Sequence, residues 1–217
     1  MTDDPNLPTG EKPENGISRK RALQLGLLAV PAAAALSAAM PTAQSDAVPQ
    51  NLEPTPECDD GDDPTIPQME GPYFKPNSPR RTTLVTPQTP GTRLLVTGYV
   101  FTRSCLPVAQ ALLDFWQANS QGGYDNVGYN FRGHQFTGAD GKFTLSTIVP
   151  GLYPGRTRHL HVKVQAPGRP ILTTQLYFPN EPRNNTDPLF DPRLLMTVRN
   201  APTGGREATF DFVLNIS

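Results

Sequence analysis

The sequence predicts a mainly β fold, a single-domain β-sandwich with long loops, and three observations support this prediction. The 217 residues include 25 prolines and 18 glycines, and so many turn-forming residues disfavour long helices. Several short segments alternate apolar and polar residues with a period of two, as half-buried strands do. Gly- and Pro-rich turns separate these segments, and none has a convincing helical pattern, which is typical of sandwiches and barrels.

Six segments between residue 93 and the end of the chain are the predicted strands. In chain order they are 93–102, 109–118, 142–148, 158–166, 171–178 and 208–216. The second is apolar almost throughout, which predicts a central strand. Asp140 and Gly141, just before the third, are a favourable hairpin tip. The last segment is predicted to be one strand with five apolar side chains on one face: Ala208, Phe210, Phe212, Leu214 and Ile216.

The first 45 residues differ from the rest of the chain and predict export. Basic residues at 19–21 precede an apolar, alanine-rich run over 22–40 and then small residues, which is the order found in export signals. The stretch that begins at Ser18 is similar to a twin-arginine signal in which Lys20 replaces the second arginine. We therefore expect a periplasmic, cell-surface or extracellular protein, which an uncleaved signal would anchor in the membrane. The alternative is a disordered basic arm.

Residues 46–67 are rich in Pro, Asp and Glu and predict a linker or a surface arm, which leaves 68–217 as the folded domain. Cys58 precedes this domain and Cys105 lies within it. The two are expected to pair in an oxidising compartment, and the alternative is two unrelated thiols. The formal net charge is −1, so no basic field predicts a nucleic-acid partner.

Two of the three histidines lie on the predicted strand 158–166. His159 and His161 are separated by one residue, and a period of two puts both imidazoles on one face while the opposite face is apolar. Two imidazoles at this spacing can bind one metal ion, although two histidines on a solvated face would show the same pattern. A rigid turn over 150–155 precedes them and can hold Tyr153 nearby.

Four motifs, in this order along the chain, resemble those of the intradiol ring-cleavage dioxygenase family. They are EGPYF at 70–74, DFWQANSQGGYDN at 114–126, TIVPGLYPGRTRHLHV at 147–162 and TTQLYF at 173–178. Because the helical N-terminal region of catechol 1,2-dioxygenases has no counterpart, the sequence is more similar to the protocatechuate 3,4-dioxygenase core. The resemblance implies a β-sandwich enzyme with one Fe(III) per chain.

The resemblance also implies which residues bind the iron: Tyr124, Tyr153, His159 and His161. Phenolate oxygens are hard anionic donors that suit a ferric ion, and imidazoles also bind iron. Free tyrosine titrates at about pH 10, so two phenolates at neutral pH need the stabilisation that a bound cation provides. Tyr129, in the same loop as Tyr124, is the alternative ligand.

The implied reaction is cleavage of a catechol-type ring by O₂, between the two hydroxylated carbons, to a cis,cis-muconate-type dicarboxylate. In the family pattern the catechol displaces Tyr153, which accepts a proton, and Arg156 stabilises negative charge on the ring. Gln175 matches a glutamine near the ligands and is predicted to bind the free edge of one of them. Tyr177 has a weaker claim to a role, and Trp116 is predicted to belong to the core.

Two departures from the family pattern affect the predicted pocket. Thr157 and Arg158 precede His159 where the family usually has Pro-Ala, and the short loop contains Gly155 where a bulky residue often borders the pocket. These departures predict an open site for larger or substituted catechols. The competing hypotheses are a non-catalytic exported β-sandwich module that binds an aromatic ligand or a metal, and a zinc or copper enzyme.

Overall fold

A computed structural model describes residues 63–217 of the chain. Within this range the chain forms nine strands and two short 3₁₀ helices, Pro182–Asn185 and Pro192–Leu194. Neither 3₁₀ helix approaches the length or apolar character of a membrane span, and residues 63–217 contain no other helix. The strands are β1 (Arg93–Phe101), β2 (Leu112–Trp116), β3 (Arg132–Phe136), β4 (Lys142–Ile148), β5 (His159–Gln165), β6 (Leu172–Tyr177), β7 (Thr197–Asn200), β8 (Arg206–Thr209) and β9 (Phe212–Val213).

The strands form two sheets with an apolar core between them. The five-stranded sheet has the order β4-β1-β8-β7, with β9 beside β1, and the four-stranded sheet has the order β3-β2-β5-β6. Side chains of both sheets meet in one buried cluster, which includes Val96 and Leu145 from the first sheet and Phe115 and Val162 from the second. Burial of such side chains contributes about 1.5–3 kcal/mol each. The predicted mainly β fold is confirmed.

Strand register brings four side chains into one row across the four-stranded sheet. β2 pairs antiparallel with β3 and β5, so Trp116 lies opposite Arg132 on one side and opposite His161 on the other. β5 pairs antiparallel with β6, so His161 lies opposite Gln175. Because directly opposite residues of an antiparallel pair project from the same face, all four belong to the outer face of this sheet.

Residues 68–81, the covering segment, run across this outer face, whereas Thr65 exchanges hydrogen bonds with the backbone of Val213 of β9 in the other sheet. Glu70 of the segment forms an ion pair with Lys163 of β5. The Ser78 hydroxyl donates to the Asp114 carboxylate of β2 at 2.7 Å. The covering segment therefore provides a wall for anything bound on the outer face. The predicted export signal and Cys58 lie outside the described residues, and both the signal and the disulfide stay predictions.

The prediction of one continuous strand over 208–216 is wrong, because β8 and β9 are separate strands on the same neighbour, β1. Gly98 of β1 faces the break, and a Cβ at this position would overlap the carbonyl oxygen of Phe210. The Asp211 carboxylate accepts the hydrogen bond of the Tyr99 N–H at 2.8 Å, in the place of a backbone carbonyl. The Asp211 side chain thus interrupts the hydrogen-bond ladder of β1, while the apolar alternation over 208–216 continues without a break.

The Asp140-Gly141 turn forms, but the predicted hairpin is wrong because β3 and β4 belong to different sheets. Just before the turn, the Thr137 hydroxyl donates to the Val108 carbonyl at 2.6 Å and accepts from the Ala111 N–H at 2.8 Å. These bonds tie the end of β3 to the start of β2, and the turn then takes the chain to the other sheet. Neither β3 nor β7 is among the predicted strands.

Candidate metal centre

His159 and His161 of β5 converge on one point of the outer face. Their Nε2 atoms lie 3.1 Å apart, and both side chains are buried. His161 stacks on Trp116 with ring centroids 4.7 Å apart and an interplanar angle of 7°. Trp116 therefore fixes the orientation of the His161 ring, and the period of two along β5 fixes the position of His159 on the same face.

The hydrogen bonds of the two histidines leave a conflict that a cation would resolve. His159 Nδ1 donates to the Thr157 carbonyl at 2.6 Å, so its Nε2 carries a free lone pair. His161 Nδ1 is buried without a hydrogen-bond partner. If this Nδ1 carries the proton, two lone pairs face each other at 3.1 Å; if Nε2 carries it, a bare acceptor is buried. A metal ion bound by both Nε2 atoms would use both lone pairs.

Burial keeps both imidazoles neutral, which is the form that binds metals. Burial lowers the pKa of His159 to about 4, although the hydrogen bond to Thr157 opposes this shift. Burial also lowers the pKa of His161 well below its ordinary value, and the nearby His159 and Arg156 lower it further. At neutral pH, protons therefore do not compete with a metal for these nitrogens.

Three tyrosine side chains line the open side of the histidine pair. The Tyr124 hydroxyl is 3.4 Å from His159 Nε2, and its ring centroid is 6.0 Å from that of Tyr153. The Tyr153 hydroxyl lies 3.0 Å from the Tyr73 hydroxyl, and the Tyr73 ring stacks on Tyr124 at 4.5 Å. All three tyrosines are half-buried, so a small molecule can approach from this side.

The structure thus brings the four predicted ligands into one cluster: Tyr124, Tyr153, His159 and His161. Tyr129, the alternative to Tyr124, points elsewhere and donates to the Pro76 carbonyl at 3.0 Å. Between residues 63 and 217 no group of three or more His, Cys, Asp or Glu side chains could hold a metal ion, so a metal here would depend on phenolic oxygens. Burial raises the pKa of Tyr124, and its phenolate therefore needs a bound cation.

Two glycines allow the loops that carry Tyr124 and Tyr153 to pack directly against each other. A Cβ at Gly151 would overlap the backbone nitrogen of Gly122 and would lie 2.6 Å from the Ser120 carbonyl oxygen. Gly122 has a φ of 88°, which a residue with a side chain rarely adopts. The spacing of the two tyrosines therefore depends on the absence of these side chains.

Gly151→Ala is expected to move the two tyrosine loops apart and to lower metal affinity by about 10–100-fold, as other changes around metal ligands do. Titration of the metal-free protein with Fe(III) in competition with a chelator measures this affinity. Gly123→Ala is the control, because a Cβ there would make an ordinary 3.4 Å contact with the Asn119 side chain. Equal affinities of the two variants would contradict the prediction.

Arg156 approaches the site from the loop before β5 and is held by a buried carboxylate. Its Nε lies 2.8 and 3.1 Å from the two oxygens of Asp187, whose side chain is fully buried. One terminal nitrogen donates to the Gln175 Oε1 at 2.7 Å and to the Tyr177 hydroxyl at 3.3 Å. The guanidinium therefore has one orientation, which these three side chains determine together.

Two predicted roles need correction. Gln175 makes no hydrogen bond to a histidine, since its Oε1 accepts from Arg156 and its Nε2 donates to the Met69 carbonyl at 2.9 Å. Its position orients Arg156 instead. Trp116 is buried as predicted, but it packs against His161 on the outer face and is not a member of the core cluster between the sheets.

Sequence reasoning missed three residues of the site. Tyr73 lies inside the EGPYF motif, so a signal was present, but the motif alone did not show that its side chain reaches Tyr153. Asp187 lies in a polar loop without any local pattern. Arg132 follows a loop and begins a strand whose sequence, RGHQF, has no clear alternation.

The chain is similar to known dioxygenases. The family model described as "Dioxygenase" matches residues 69–216. The chain is 34% identical over 118 residues to the protocatechuate 3,4-dioxygenase beta chain of Burkholderia cepacia, covering 46% of this chain and 50% of that protein. It is 32% identical over 124 residues to hydroxyquinol 1,2-dioxygenase of Rhizobium sp. strain MTP-10005, covering 46% and 42%.

Among solved structures, a similar one is the dioxygenase domain of a dioxygenase and carbohydrate-binding protein fusion from the cellulolytic bacterium Streptomyces sp. SirexAA-E. The sequence identity is 72%, the TM-score is 0.70, and the match covers 71% of this chain and all of that one (100%). The chain spans about half the length of the curated relatives it matches. The matched family model covers both sheets and all four clustered side chains, and the chain belongs to the intradiol ring-cleavage dioxygenase family.

Proposed function

We propose that this protein is an Fe(III)-dependent dioxygenase that opens a catechol-type ring between its two hydroxylated carbons and yields a cis,cis-muconate-type dicarboxylate. The observation that carries the proposal is the pair of imidazole nitrogens 3.1 Å apart beside the hydroxyl of Tyr124. Family membership supports the same activity. Both atoms of O₂ enter the product, so the reaction requires no external reductant.

In this proposal one ferric ion per chain is held by the four clustered side chains: Tyr124, Tyr153, His159 and His161. The unpaired lone pairs of the histidines and the half-buried phenols are the donor set that suits a hard cation. When bound, Fe(III) would draw electron density from a chelated catechol and so make the ring reactive towards O₂.

The side chains around the ion have separate tasks. Tyr153 accepts a catechol proton, and the Tyr73 hydroxyl at 3.0 Å can hold the Tyr153 side chain after the substrate takes its position. Arg156 supplies a positive charge whose effect reaches Tyr124 and His161. Because Asp187 fixes the guanidinium, this charge is already oriented when negative charge develops on the ring.

The substrate class that we propose is larger or substituted catechols. Gly155 has a φ of 77°, and a Cβ at this position would meet nothing within 4 Å, which supports an open rim near Tyr153. Leu152, on the same loop, is exposed and offers apolar surface beside the site.

The competing hypotheses have less support. A non-catalytic module that binds only an aromatic ligand gives no reason for buried, neutral imidazoles that face each other beside two phenols. A non-catalytic module that binds a metal would explain them, but the match to the dioxygenase family model favours the enzyme. Zinc sites are typically built from Cys, His and carboxylate ligands, and this cluster has no thiolate or carboxylate donor.

Oxygen consumption by the purified full-length protein tests the proposal. The panel contains catechol, protocatechuate, hydroxyquinol and alkyl-substituted catechols, and plant-derived catechols are included because the Streptomyces relative comes from a cellulolytic bacterium. We expect O₂ uptake with formation of a muconate-type product, and faster turnover of substituted catechols. Absence of uptake by iron-loaded protein on the whole panel would overturn the activity. Strict preference for unsubstituted catechol would overturn only the substrate class.

Tyr124→Phe is expected to remove one phenolate ligand and so to weaken the visible phenolate-to-iron charge-transfer absorption of the iron-loaded protein. Iron affinity should fall by more than the roughly 10–100-fold that outer partners of a metal site control. Tyr129→Phe is a matched control, because this tyrosine lies in the same loop but its hydroxyl binds the Pro76 carbonyl. The assignment of Tyr124 fails if both variants keep the spectrum of the unmodified protein.

We also propose that the protein is exported, an idea that only the sequence of residues 1–45 supports. Fractionation of the producing cells with mass spectrometry of the N-terminus tests it. Recovery of the intact chain from the cytoplasm alone would contradict export.

A further inference from the structure

Arg132 occupies a position from which it can act on the candidate metal centre without touching it. It is the first residue of β3 and lies opposite Trp116, which in turn stacks on His161. Its side chain is almost fully buried, with 2% exposed. Within residues 63–217 no carboxylate lies within ion-pair distance of this guanidinium. A buried cation without such a partner is costly, and a purely space-filling role would be better served by an apolar residue.

The guanidinium of Arg132 connects two segments that each carry a tyrosine of the site. Its Nε and one terminal nitrogen donate to the Asp125 carbonyl at 3.1 and 2.9 Å, and Asp125 directly follows Tyr124. The other terminal nitrogen donates to the Tyr73 carbonyl at 2.6 Å. The rings of Tyr73 and Tyr124 are stacked with an interplanar angle of 10°, so one side chain fixes the backbones behind both stacked rings.

The loop between Tyr124 and Arg132 depends for its shape on hydrogen bonds to both the carbonyl and the carboxylate of Asp125. The Asp125 carboxylate accepts from the backbone N–H groups of Val127 and Gly128 at 3.0 and 2.7 Å and so closes the loop. Phe131, the last residue of the loop, has a φ of 56°, a conformation that costs a bulky residue about 1–2 kcal/mol. Contacts elsewhere in the loop must offset this strain.

We propose that Arg132 and Asp125 form a clasp that positions the ligand Tyr124, together with Tyr73, opposite the two histidines. This inference rests on the proposed function, in which Tyr124 binds the iron. The clasp requires the planar fork of arginine. Two of its nitrogens bind the Asp125 carbonyl and the third binds the Tyr73 carbonyl, and the single ammonium of lysine cannot make all three bonds. Arg132 is in this sense a positioning residue and takes no part in the chemistry.

Arg132→Lys and Asp125→Ala test the clasp in the full-length protein. Both variants are expected to bind Fe(III) about 10–100-fold more weakly and to shift the charge-transfer absorption in the same direction. In the iron-free protein, near-ultraviolet circular dichroism should show a changed environment of the stacked tyrosines. Arg81→Lys is the control, because Arg81 holds the far end of the same loop through the carbonyls of Tyr129 and Arg132. This variant should leave the charge-transfer absorption and the circular dichroism unchanged.

The outcomes separate the clasp from the proposed function. An unmodified protein that neither binds iron nor consumes O₂ would overturn the function, whereas the dichroism of the iron-free variants would still report on the clasp. The clasp alone is overturned if the unmodified protein is coloured and active and both clasp variants keep its spectra and iron affinity. It is also overturned if Arg81→Lys shows the same spectral shifts as the clasp variants. If Arg132→Lys fails to fold, Asp125→Ala decides, because its carboxylate lies on the partly exposed side of the loop.

Discussion

His161→Phe is expected to yield a folded protein that retains no iron after dialysis and consumes O₂ at the background rate. Phenylalanine keeps an aromatic ring against Trp116, which the imidazole contacts at a centroid distance of 4.7 Å, but it removes both nitrogens. One of these is the Nε2 that faces His159, and without it the cluster loses a donor that no neighbouring side chain replaces. Loss of a ligand should exceed the roughly 10–100-fold effect of outer partners on metal affinity.

The stability of the same variant separates a ligand role from a structural role. His161 Nδ1 is buried without a partner, and an unpaired buried polar atom costs about 1–3 kcal/mol. The iron-free His161→Phe protein is therefore expected to be as stable as the iron-free unmodified protein, or more stable, in chemical denaturation. A histidine that stabilised the fold through its ring nitrogens would give the opposite result, a loss of stability.

His134→Phe is the control for this experiment, because His134 is the remaining histidine of the chain. It lies on β3 of the same sheet, but its Nδ1 is bound to the Ser78 carbonyl at 2.7 Å, away from the cluster. We expect this variant to keep its iron and its activity. Full iron occupancy in His161→Phe, or loss of iron in His134→Phe, would contradict the assignment.

The parts of the site that could be predicted from the sequence are those that depend on local geometry. Strand alternation fixes the faces of neighbouring residues, and therefore His159 and His161 could be assigned to one face before any pairing was known. The mainly β fold follows in the same way from short alternating segments and frequent turns. The resemblance of the motifs supplied Tyr124 and Tyr153, which alternation alone cannot identify.

The parts that could not be predicted depend on contacts between distant residues. The stacking of Trp116 on His161 follows from the register of β2 with β5, and no local pattern in either strand encodes that register. Asp187 lies 31 positions after Arg156, in a loop whose polar sequence suits any surface. The break at Asp211 shows the same limit, since a side chain replaces a backbone acceptor without a change in the apolar alternation.

Asp187→Asn is expected to lower kcat by about 100-fold while the protein still binds iron. The carboxylate holds Arg156 through Nε at 2.8 and 3.1 Å, and asparagine offers a single oxygen and an amide that repels the guanidinium. A displacement of about 1 Å in a group that stabilises developing charge can cost about 100-fold in rate. Steady-state O₂ uptake gives kcat and KM, and iron analysis with the visible spectrum shows whether the ligands are intact.

The stability of this protein should also depend on Asp187, because its side chain is fully buried. Burial raises the pKa of Asp187, but hydrogen bonds from the N–H groups of Leu189 and Thr157 and from Arg156 outweigh it, so the pKa lies below the ordinary 3.8. A carboxyl with a lowered pKa stabilises the folded state above that ordinary value, and this contribution is lost as the pH falls through the lowered pKa. At neutral pH, Asp187→Asn should cost up to about 3–5 kcal/mol of the free energy of unfolding, the range for breaking a buried ion pair.

A matched ion pair nearby shows whether the loss of rate is specific to Arg156. Arg158, two residues after Arg156, pairs with Glu181 at 2.7 Å, and both side chains are partly exposed. Glu181→Gln should lower stability by less than about 1 kcal/mol, as exposed pairs do, and should leave kcat unchanged. If the two variants lower kcat equally, the ion pairs act only by holding the loop, and the orientation of Arg156 has no separate effect on turnover. If only Asp187→Asn lowers kcat, with iron content and KM preserved, then Asp187 acts on the reaction through the guanidinium that it orients.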